Sequence, residues 1–546
     1  MPTLEISKSD LESLCGKKFS HSELEEALLC VKGELELVDG DRLRVDVKET
    51  NRPDFWSTEG IARQIKGFLG KEKGLPKFSV KKGRVEIVVD KSVEKIRPKI
   101  AGAVVWDVKV TPELLEQMIQ LQEKVTLTFG RRRKEAAIGL YDFDRMKPPI
   151  HYKAFHPRKL KFTPLDFKNE MDLDEILELH PKGREYAHLL KDFPAYPIVI
   201  DSAKNVASMP PVINSDFTGR VSEKTRNLFV EVTGSDQNTV NVALCVMVAA
   251  LSDRNGKVES VRVKYGNKVV VTPDFLPKKI SVSLDYINEI SGLGISQKQA
   301  IGLLKKSRMD ARAGGKRIEV SYPSFRQDIL HPVDVVEDAI VSFGYNKITP
   351  LPVSVPAIGG ELPEAKLHDV VREICVGLCL QEVLTFTLTS KERQERLLGL
   401  KDEGLVEILN PVSENWAVYR KMVVPELLDF LAKNKNVEYP QRIFEIGKAV
   451  SANSANDSGV EEKNVLAIAI SARKTNFTEI KSVLEAICAG LGLKCSLSES
   501  NKPFLKKGMC AEISVAEKKG FLGEVSDETM KAFGLEMPVT VLEMEI

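Results

Sequence analysis

Tyr322–Asn346 reads Y-P-S-F-R-Q-D-I-L-H-P-V-D-V-V-E-D-A-I-V-S-F-G-Y-N, and the rest of the chain can be organised around it. Pro332 stands where a first helical turn tolerates proline, and Gly344 stands where a helix stops, so a short helix is predicted over Val333–Phe343. Val336, Ala339, Ile340 and Phe343 recur at three- and four-residue spacing and form its expected buried stripe. Asp334, Glu337 and Asp338 fall at i, i+3 and i+4 and crowd an adjacent face. Asp328 lies just upstream, at the end of an extended proline-containing segment, and can point at the same spot. Carboxylates this close repel one another, and a helix N-terminus relieves only part of that. Spacing leaves two readings open. One is an acidic helix start facing solvent; the other is a site for a hard cation such as Mg²⁺, which takes oxygen ligands and keeps several waters.

The chain's 546 residues suffice for three to five domains, each with its own core. Its 79 Lys+Arg nearly cancel its 78 Asp+Glu, so any RNA contact must come from local basic patches. The eight cysteines are scattered without a C-x-x-C, which points to buried thiols in a reducing cytosol rather than zinc or disulfides. The opening M-P-T-L-E-I-S-K lacks the apolar region of a signal peptide. The longest apolar run, Val242–Leu251, is too short to span a bilayer and suits a core helix. A cytoplasmic protein with no membrane partner is expected.

Four domains are predicted. Residues 1–70 form an α/β unit, with capping-box signals at Ser9-x-x-Glu12 and Ser22-x-x-Glu25, a strand at Leu43–Val47 and a helix from about Thr58 to Leu69. Arg52 and Asp54 are expected to brace the turn before that helix, with an RNA or partner contact as the alternative. A Gly/Pro/Lys linker, Gly70–Lys82, precedes a strand-rich domain at 84–272. There Thr111 and Pro112 start a helix to about Lys124, and Asn255-Gly256 and Gly266-Asn267 read as hairpin turns. The basic run Arg131, Arg132, Arg133 and Lys134 could hold a phosphate backbone, or could simply be solvated. Residues 280–350 read as a small helical, winged-helix-like domain: helices near Leu284–Ile290 and Ser296–Lys306, a Gly314-Gly315 hairpin, and the acidic helix. That helix would repel phosphates and argues against DNA binding. After a second linker, Thr349–Leu362, residues 364–546 form the last domain. Its expected elements are a helix near Lys366–Leu380, a strand-like E-V-L-T-F-T-L, a helical Ser390–Leu400 and a polar surface loop at Ser451–Lys463. The fold class is α+β multidomain.

There is no P-loop, H-E-x-x-H, nucleophile elbow or kinase set, and the seven histidines form no ligand pair; His331, beside the acidic helix, is the one to watch. Three groups of motifs carry a resemblance instead. P-S-F-R-Q-D-I, D-V-V-E-D-A-I and F-G-Y-N-K-I cover the acidic helix. N-P-V-S-E-N-W-A-V-Y-R-K-M-V-V-P-E-L-L and R-I-F-E-I-G lie between Asn410 and Gly447. G-R-R-R-K-E-A-A-I-G, M-P-P-V-I-N-S and T-R-N-L-F-V-E-V-T-G lie in the strand-rich domain. Together they resemble the beta subunits of phenylalanyl-tRNA synthetase, of the archaeal and eukaryotic type, over nearly the whole chain.

The resemblance implies that Asp328, Asp334, Glu337 and Asp338 are Mg²⁺ ligands near the contact with an alpha subunit. It implies that the last domain is a class II synthetase-like antiparallel sheet lacking catalytic motifs, since no G-x-G-x-x-R strand is present. Aminoacylation, with its ATP and phenylalanine, would then sit on the alpha subunit of an alpha2 beta2 tetramer that binds tRNA(Phe). It further implies an editing domain that hydrolyses tyrosine wrongly attached to that tRNA, because an apolar pocket gains little power to reject an added hydroxyl. Glu231, inside L-F-V-E-V-T-G, is the candidate reader of the phenol. Ser208 and Asn214 would hold the ester or its attacking water, and Thr225, Arg226 and Thr233 would line the mouth. No general base is evident. The alternatives are a free-standing mischarged-tRNA hydrolase and a non-enzymatic RNA-binding scaffold.

Overall fold

The computed structural model describes residues 2–353, 358–401 and 404–546; within the expected linker Thr349–Leu362, residues 354–357 lie outside that description. The chain divides into two compact units, Met1–Pro352 and Val353–Ile546.

The first unit opens with a three-stranded antiparallel sheet in the order Thr3–Ser7, Arg42–Val47, Gly33–Asp39. Its first two helices, Lys8–Cys15 and His21–Leu28, begin two residues earlier than predicted. Their caps are Ser7 and Ser20, and the capping box closes on Glu23, because each serine is the last extended residue before its helix. The third helix runs Thr58–Phe68 behind the turn that Arg52 and Asp54 brace through a two-pronged ion pair of 2.9 and 2.8 Å. Arg254 ties this part to the next by bonding Asp10 and Glu59, and Arg63 bonds Asp253.

An eleven-stranded sheet follows. Next to one end is the strand Leu228–Gly234, antiparallel to Lys99–Trp106 on one side and to the end strand Ala136–Asp142 on the other. Strand alternation sends Leu228, Val230 and Val232 to one face, where they meet the apolar helix Gln237–Asp253 and the helix Pro112–Leu127. Phe229 and Glu231 go to the other face. Gly266-Asn267 turns a hairpin as expected, between Lys257–Tyr265 and Lys268–Thr272. Asn255-Gly256 does not: Asn255 adopts a left-handed φ of 67° at the end of the long helix, where a helix stop and a hairpin turn call for the same residue types.

The last part of this unit has a three-stranded sheet in the order Lys278–Ser283, Arg317–Tyr322, Asp310–Gly314, with helices Leu284–Ser291, Gln297–Lys306 and Pro332–Phe343. Val335, Val336, Ala339 and Ser342 are the acidic helix's buried positions, so its stripe is rotated by a residue from the predicted one.

The second unit is a seven-stranded, almost wholly antiparallel sheet with helices on both faces. Pro363–Gly377 and Phe477–Gly490 cover one face, and Val424–Lys433 covers the other. The stretch E-V-L-T-F-T-L is mostly irregular, with strands only at Gln381–Glu382 and Leu388–Thr389, and Ser390–Leu400 holds only short turns of helix. The polar Ser451–Lys463 holds an exposed seven-residue turn, residues 453–459, flanked by the ends of two strands: Gln441–Ala452 and Val460–Ser471 pair along twelve residues. The eight cysteines are free thiols, Cys375 buried and Cys379 exposed. Among the described residues no helix is long and apolar enough to cross a membrane.

Candidate functional site

The eleven-stranded sheet curls until its two ends meet. Val206–Met209 and Ile213–Asn214 lie at one end and Ala136–Asp142 at the other, yet the Asn214 amide donates to the Leu140 carbonyl at 3.3 Å, and the hydroxyls of Tyr141 and Ser208 lie 2.8 Å apart. At this seam is a cavity of about 430 Å³ whose wall includes Ser208, Asn214, Glu231 and Thr233. Ser208 and Asn214 come from one stretch of sequence and Glu231 and Thr233 from another, and the curl brings the two together.

Glu231 is 2 % exposed, and across the sheet it faces glycine on both sides, Gly102 and Gly139. A Cβ on Gly139 would lie 2.4 Å from Glu231 Oε2 and 2.2 Å from the Tyr141 hydroxyl, so this glycine is what lets both side chains lie across the strand. Tyr141 donates to Glu231 Oε2 at 2.8 Å, while Glu231 Oε1 has no hydrogen-bond partner. Burial pushes the Glu231 carboxyl up to about 7, against the opposing pull of Tyr141, Arg97 and Thr233. Burial likewise raises Tyr141, and the Glu231 charge adds to it. Arg97 is itself buried and is spent on Thr233 and on the Lys134 carbonyl. A carboxylate oxygen buried without a donor is costly, and here it belongs to a residue in a cavity wall, where a ligand hydroxyl could satisfy it.

The other expected residues divide. Thr225 does not line the cavity: it is buried, accepts from the Ser222 amide and donates to Asp142. Arg226 bonds the carbonyls of Glu223 and Thr225, holding its own turn. In the basic run, Arg131, Arg132 and Arg133 take left-handed φ values of 47°, 52° and 66°, a turn that caps the carbonyls of Thr126, Leu127 and Thr128. Arg133 points back into the wall, donating to the Pro211 and Val212 carbonyls and stacking on Tyr186; Arg131, Arg132 and Lys134 are exposed. Tyr141, Arg97 and Gly139 were not singled out from the sequence. The signal was present in A-I-G-L-Y, where alternation puts the glycine and the tyrosine on one face, but it names no partner.

Asp328, Asp334, Glu337 and Asp338 do converge on one small cavity, together with Arg52, Arg326 and Lys32. The buried Arg326 holds both Asp328, at 2.9 and 2.6 Å, and Asp338, at 2.7 Å. Burial would raise the Asp328 carboxyl, but Arg326 and Arg52 outweigh it and hold Asp328 below the usual carboxylate range. Asp334 accepts the amides of Leu330 and His331 and so caps the helix, and Glu337 bonds Lys32 at 2.5 Å. Among the described residues no three His, Cys, Asp or Glu side chains gather as a metal-holding group. The four carboxylates expected to hold Mg²⁺ thus line one cavity, with the Arg326 guanidinium against two of them. His331 caps the helix start rather than a site.

Two family models match the chain. The tRNA synthetase B5 domain covers residues 280–345, and the phenylalanyl-tRNA synthetase beta chain CLM domain covers residues 348–546. Fold and domain content thus define a subunit of the aminoacyl-tRNA synthetase class. The curated phenylalanine–tRNA ligase beta subunit of Pyrococcus horikoshii is 44% identical over 100% of this chain and 99% of its own length, and that of Archaeoglobus fulgidus is 36% identical over 100% and 98%. The crystal structure of an N-terminal fragment of the phenylalanyl-tRNA synthetase beta subunit from Pyrococcus horikoshii is 50% identical, with a TM-score of 0.61, covering 63% of this chain and all of that fragment. The chain belongs to the phenylalanine–tRNA ligase beta-subunit family.

Proposed function

We propose that the chain serves an ATP-dependent phenylalanine–tRNA ligase in which the alpha subunit of an alpha2 beta2 complex attaches phenylalanine to tRNA(Phe), while this subunit removes tyrosine attached in error. The observation that carries the editing reading is the free Oε1 of the buried Glu231 in the wall of a cavity of about 430 Å³. A tyrosyl group brings the hydroxyl this oxygen lacks, whereas a phenylalanyl group leaves it unpaired; that is how a second sieve reads what an apolar pocket cannot. The water oxygen bonds to the ester carbonyl carbon, the bond to the ribose oxygen breaks, and that oxygen leaves as a hydroxyl with the proton from water. Ser208 and Asn214 position the reacting end. Arg131, Arg132 and Lys134, exposed at the rim of the same domain, are proposed to meet the tRNA backbone. Asp328, Asp334, Glu337 and Asp338, which line one small cavity, are the proposed Mg²⁺ ligands, away from the hydrolytic step.

The test mixes purified chain, with and without an alpha subunit, with Tyr-tRNA and Phe-tRNA and follows ester hydrolysis. Glu231→Ala is expected to lose about 10- to 100-fold in Tyr-tRNA hydrolysis, the worth of one charge-assisted hydrogen bond, with Phe-tRNA hydrolysis unmoved. Equal rates on the two substrates, or none with the alpha subunit present, would leave a scaffold rather than an editor.

A further inference from the structure

The two oxygens of Glu231 are treated differently by the fold: one is held and the other is left open. We propose that Tyr141 is a positioning residue of this pocket, fixing Glu231 Oε2 so that Oε1 is presented to a ligand hydroxyl and turning Ser208 so that its oxygen can only accept from the cavity. The inference about substrate rests on the editing reading above; the positioning of Glu231 does not.

The Tyr141 hydroxyl lies 2.8 Å from both Glu231 Oε2 and Ser208 Oγ, but a phenol has one hydrogen. A carboxylate has none to give and is the stronger acceptor, so Tyr141 donates to Glu231 and Ser208 donates to Tyr141. Ser208 then meets the cavity with lone pairs alone. It accepts from an ammonium group or from water, and while Glu231 is ionised it has no hydrogen left for an oxyanion. The tyrosine cannot swing away from this task. It is fully buried, its ring lies 6.0 Å from that of Phe229, and it leans across Gly139, where any side chain would collide with it.

Removing the phenol oxygen withdraws a donor from the charged form of Glu231, and that favours the protonated form. The charged and titratable groups beside Glu231 are Arg97 and Tyr152. Across the cavity stand Glu123, Arg133, Asp166, His180, Lys182 and Arg220. All of these are retained in the variants compared.

The experiment measures the titration midpoint of Glu231 in the full-length chain, as the pH at which the widening gap between the stabilities of Glu231 and Glu231→Gln chains levels off, with Tyr141 intact and with Tyr141→Phe. Tyr-tRNA and Phe-tRNA hydrolysis are followed across the same pH range. Tyr141→Phe is expected to move the midpoint up by about one unit, which lowers the ionised fraction at pH 7 about fivefold. The Tyr-over-Phe ratio should fall with it, as a rise in KM for Tyr-tRNA. Ser208→Ala keeps the Tyr141–Glu231 bond and should leave the midpoint in place. An unmoved midpoint in Tyr141→Phe, or an equal shift in Ser208→Ala, overturns the inference even if the wild type edits. A shifted midpoint in a chain that hydrolyses neither ester upholds the positioning and removes the editing reading.

Discussion

Each unit of the chain buries ionised groups, and they are handled in opposite ways. In the second unit, Arg420 and Glu445 are each about 2 % exposed and pair at 2.8 Å, with Thr385 and the Lys448 carbonyl taking further hydrogens of the guanidinium. Glu426 is held by Thr389 and Arg393, and Glu543 Oε2 accepts the amides of Val423 and Val424 where the helix Val424–Lys433 begins. In the first unit Glu231 keeps one oxygen without a donor. Burial pushes Glu543 and Glu231 to the same value, about 7, so titration alone does not tell an architectural carboxylate from a binding one. Partner geometry does. A synthetase-like sheet whose interior acids are tied to arginines, hydroxyls and amides has been turned to architecture, and a cavity with an open acceptor has not.

The largest effect should come from breaking the tied interior. Arg420→Met leaves Glu445 buried without its counter-charge, held only by Thr385, and the unfolding free energy at pH 7 is expected to fall by about 3–5 kcal/mol. Glu231→Ala should cost less than about 1 kcal/mol, because Tyr141 can turn its hydrogen to Ser208. Denaturant melts of the two variants measure both. A Glu231→Ala loss as large as that of Arg420→Met would mean that Glu231 is structural and would erase the contrast.

A smaller effect follows from the shared titration. Glu231 binds its proton more tightly in the folded chain than the ordinary value of 4.5 allows, so its burial weakens the fold progressively as pH rises from about 4.5 to about 7. Glu231→Gln removes that burden, with no gain at pH 4.5 and a gain on the order of 3 kcal/mol at pH 8. Glu543→Gln should trace the same curve, since its amide oxygen can still accept the two backbone hydrogens. Melts at pH 4.5 and pH 8 decide it; a pH-independent difference would place neither carboxylate in the buried state described here.

The sequence was most legible where local chemistry decides. Pro332 and Gly344 bound the acidic helix, Thr111 and Pro112 open theirs, and Gly314-Gly315 turns a hairpin. It misled where one signal serves two structures: Asn-Gly ended a helix instead of turning a hairpin. Glu231, Ser208 and Asn214 could be named, but their convergence depends on the curl of an eleven-stranded sheet, which no local pattern encodes. Tyr141 became visible only through its contacts with Glu231 on the neighbouring strand and with Ser208 across that seam. Spacing likewise named the carboxylates that line the cavity around Asp328, but not that Arg326 would turn to Asp328 and Asp338; spacing gives proximity, not the direction of a guanidinium.

The smallest effect separates the two carboxylates most sharply. Glu543→Gln and Glu231→Gln should gain similar stability at pH 8, yet only the second alters the pocket that a tyrosyl hydroxyl would enter. Tyr-tRNA hydrolysis in Glu543→Gln, assayed with the alpha subunit present, is therefore expected to stay within about twofold of wild type. In Glu231→Gln it should fall, because an amide rotated to keep its oxygen on Tyr141 offers an N–H where the phenol needs an acceptor. If Glu543→Gln slowed hydrolysis as much, the stability gained rather than the acceptor lost would explain both, and the open oxygen of Glu231 would no longer mark a site.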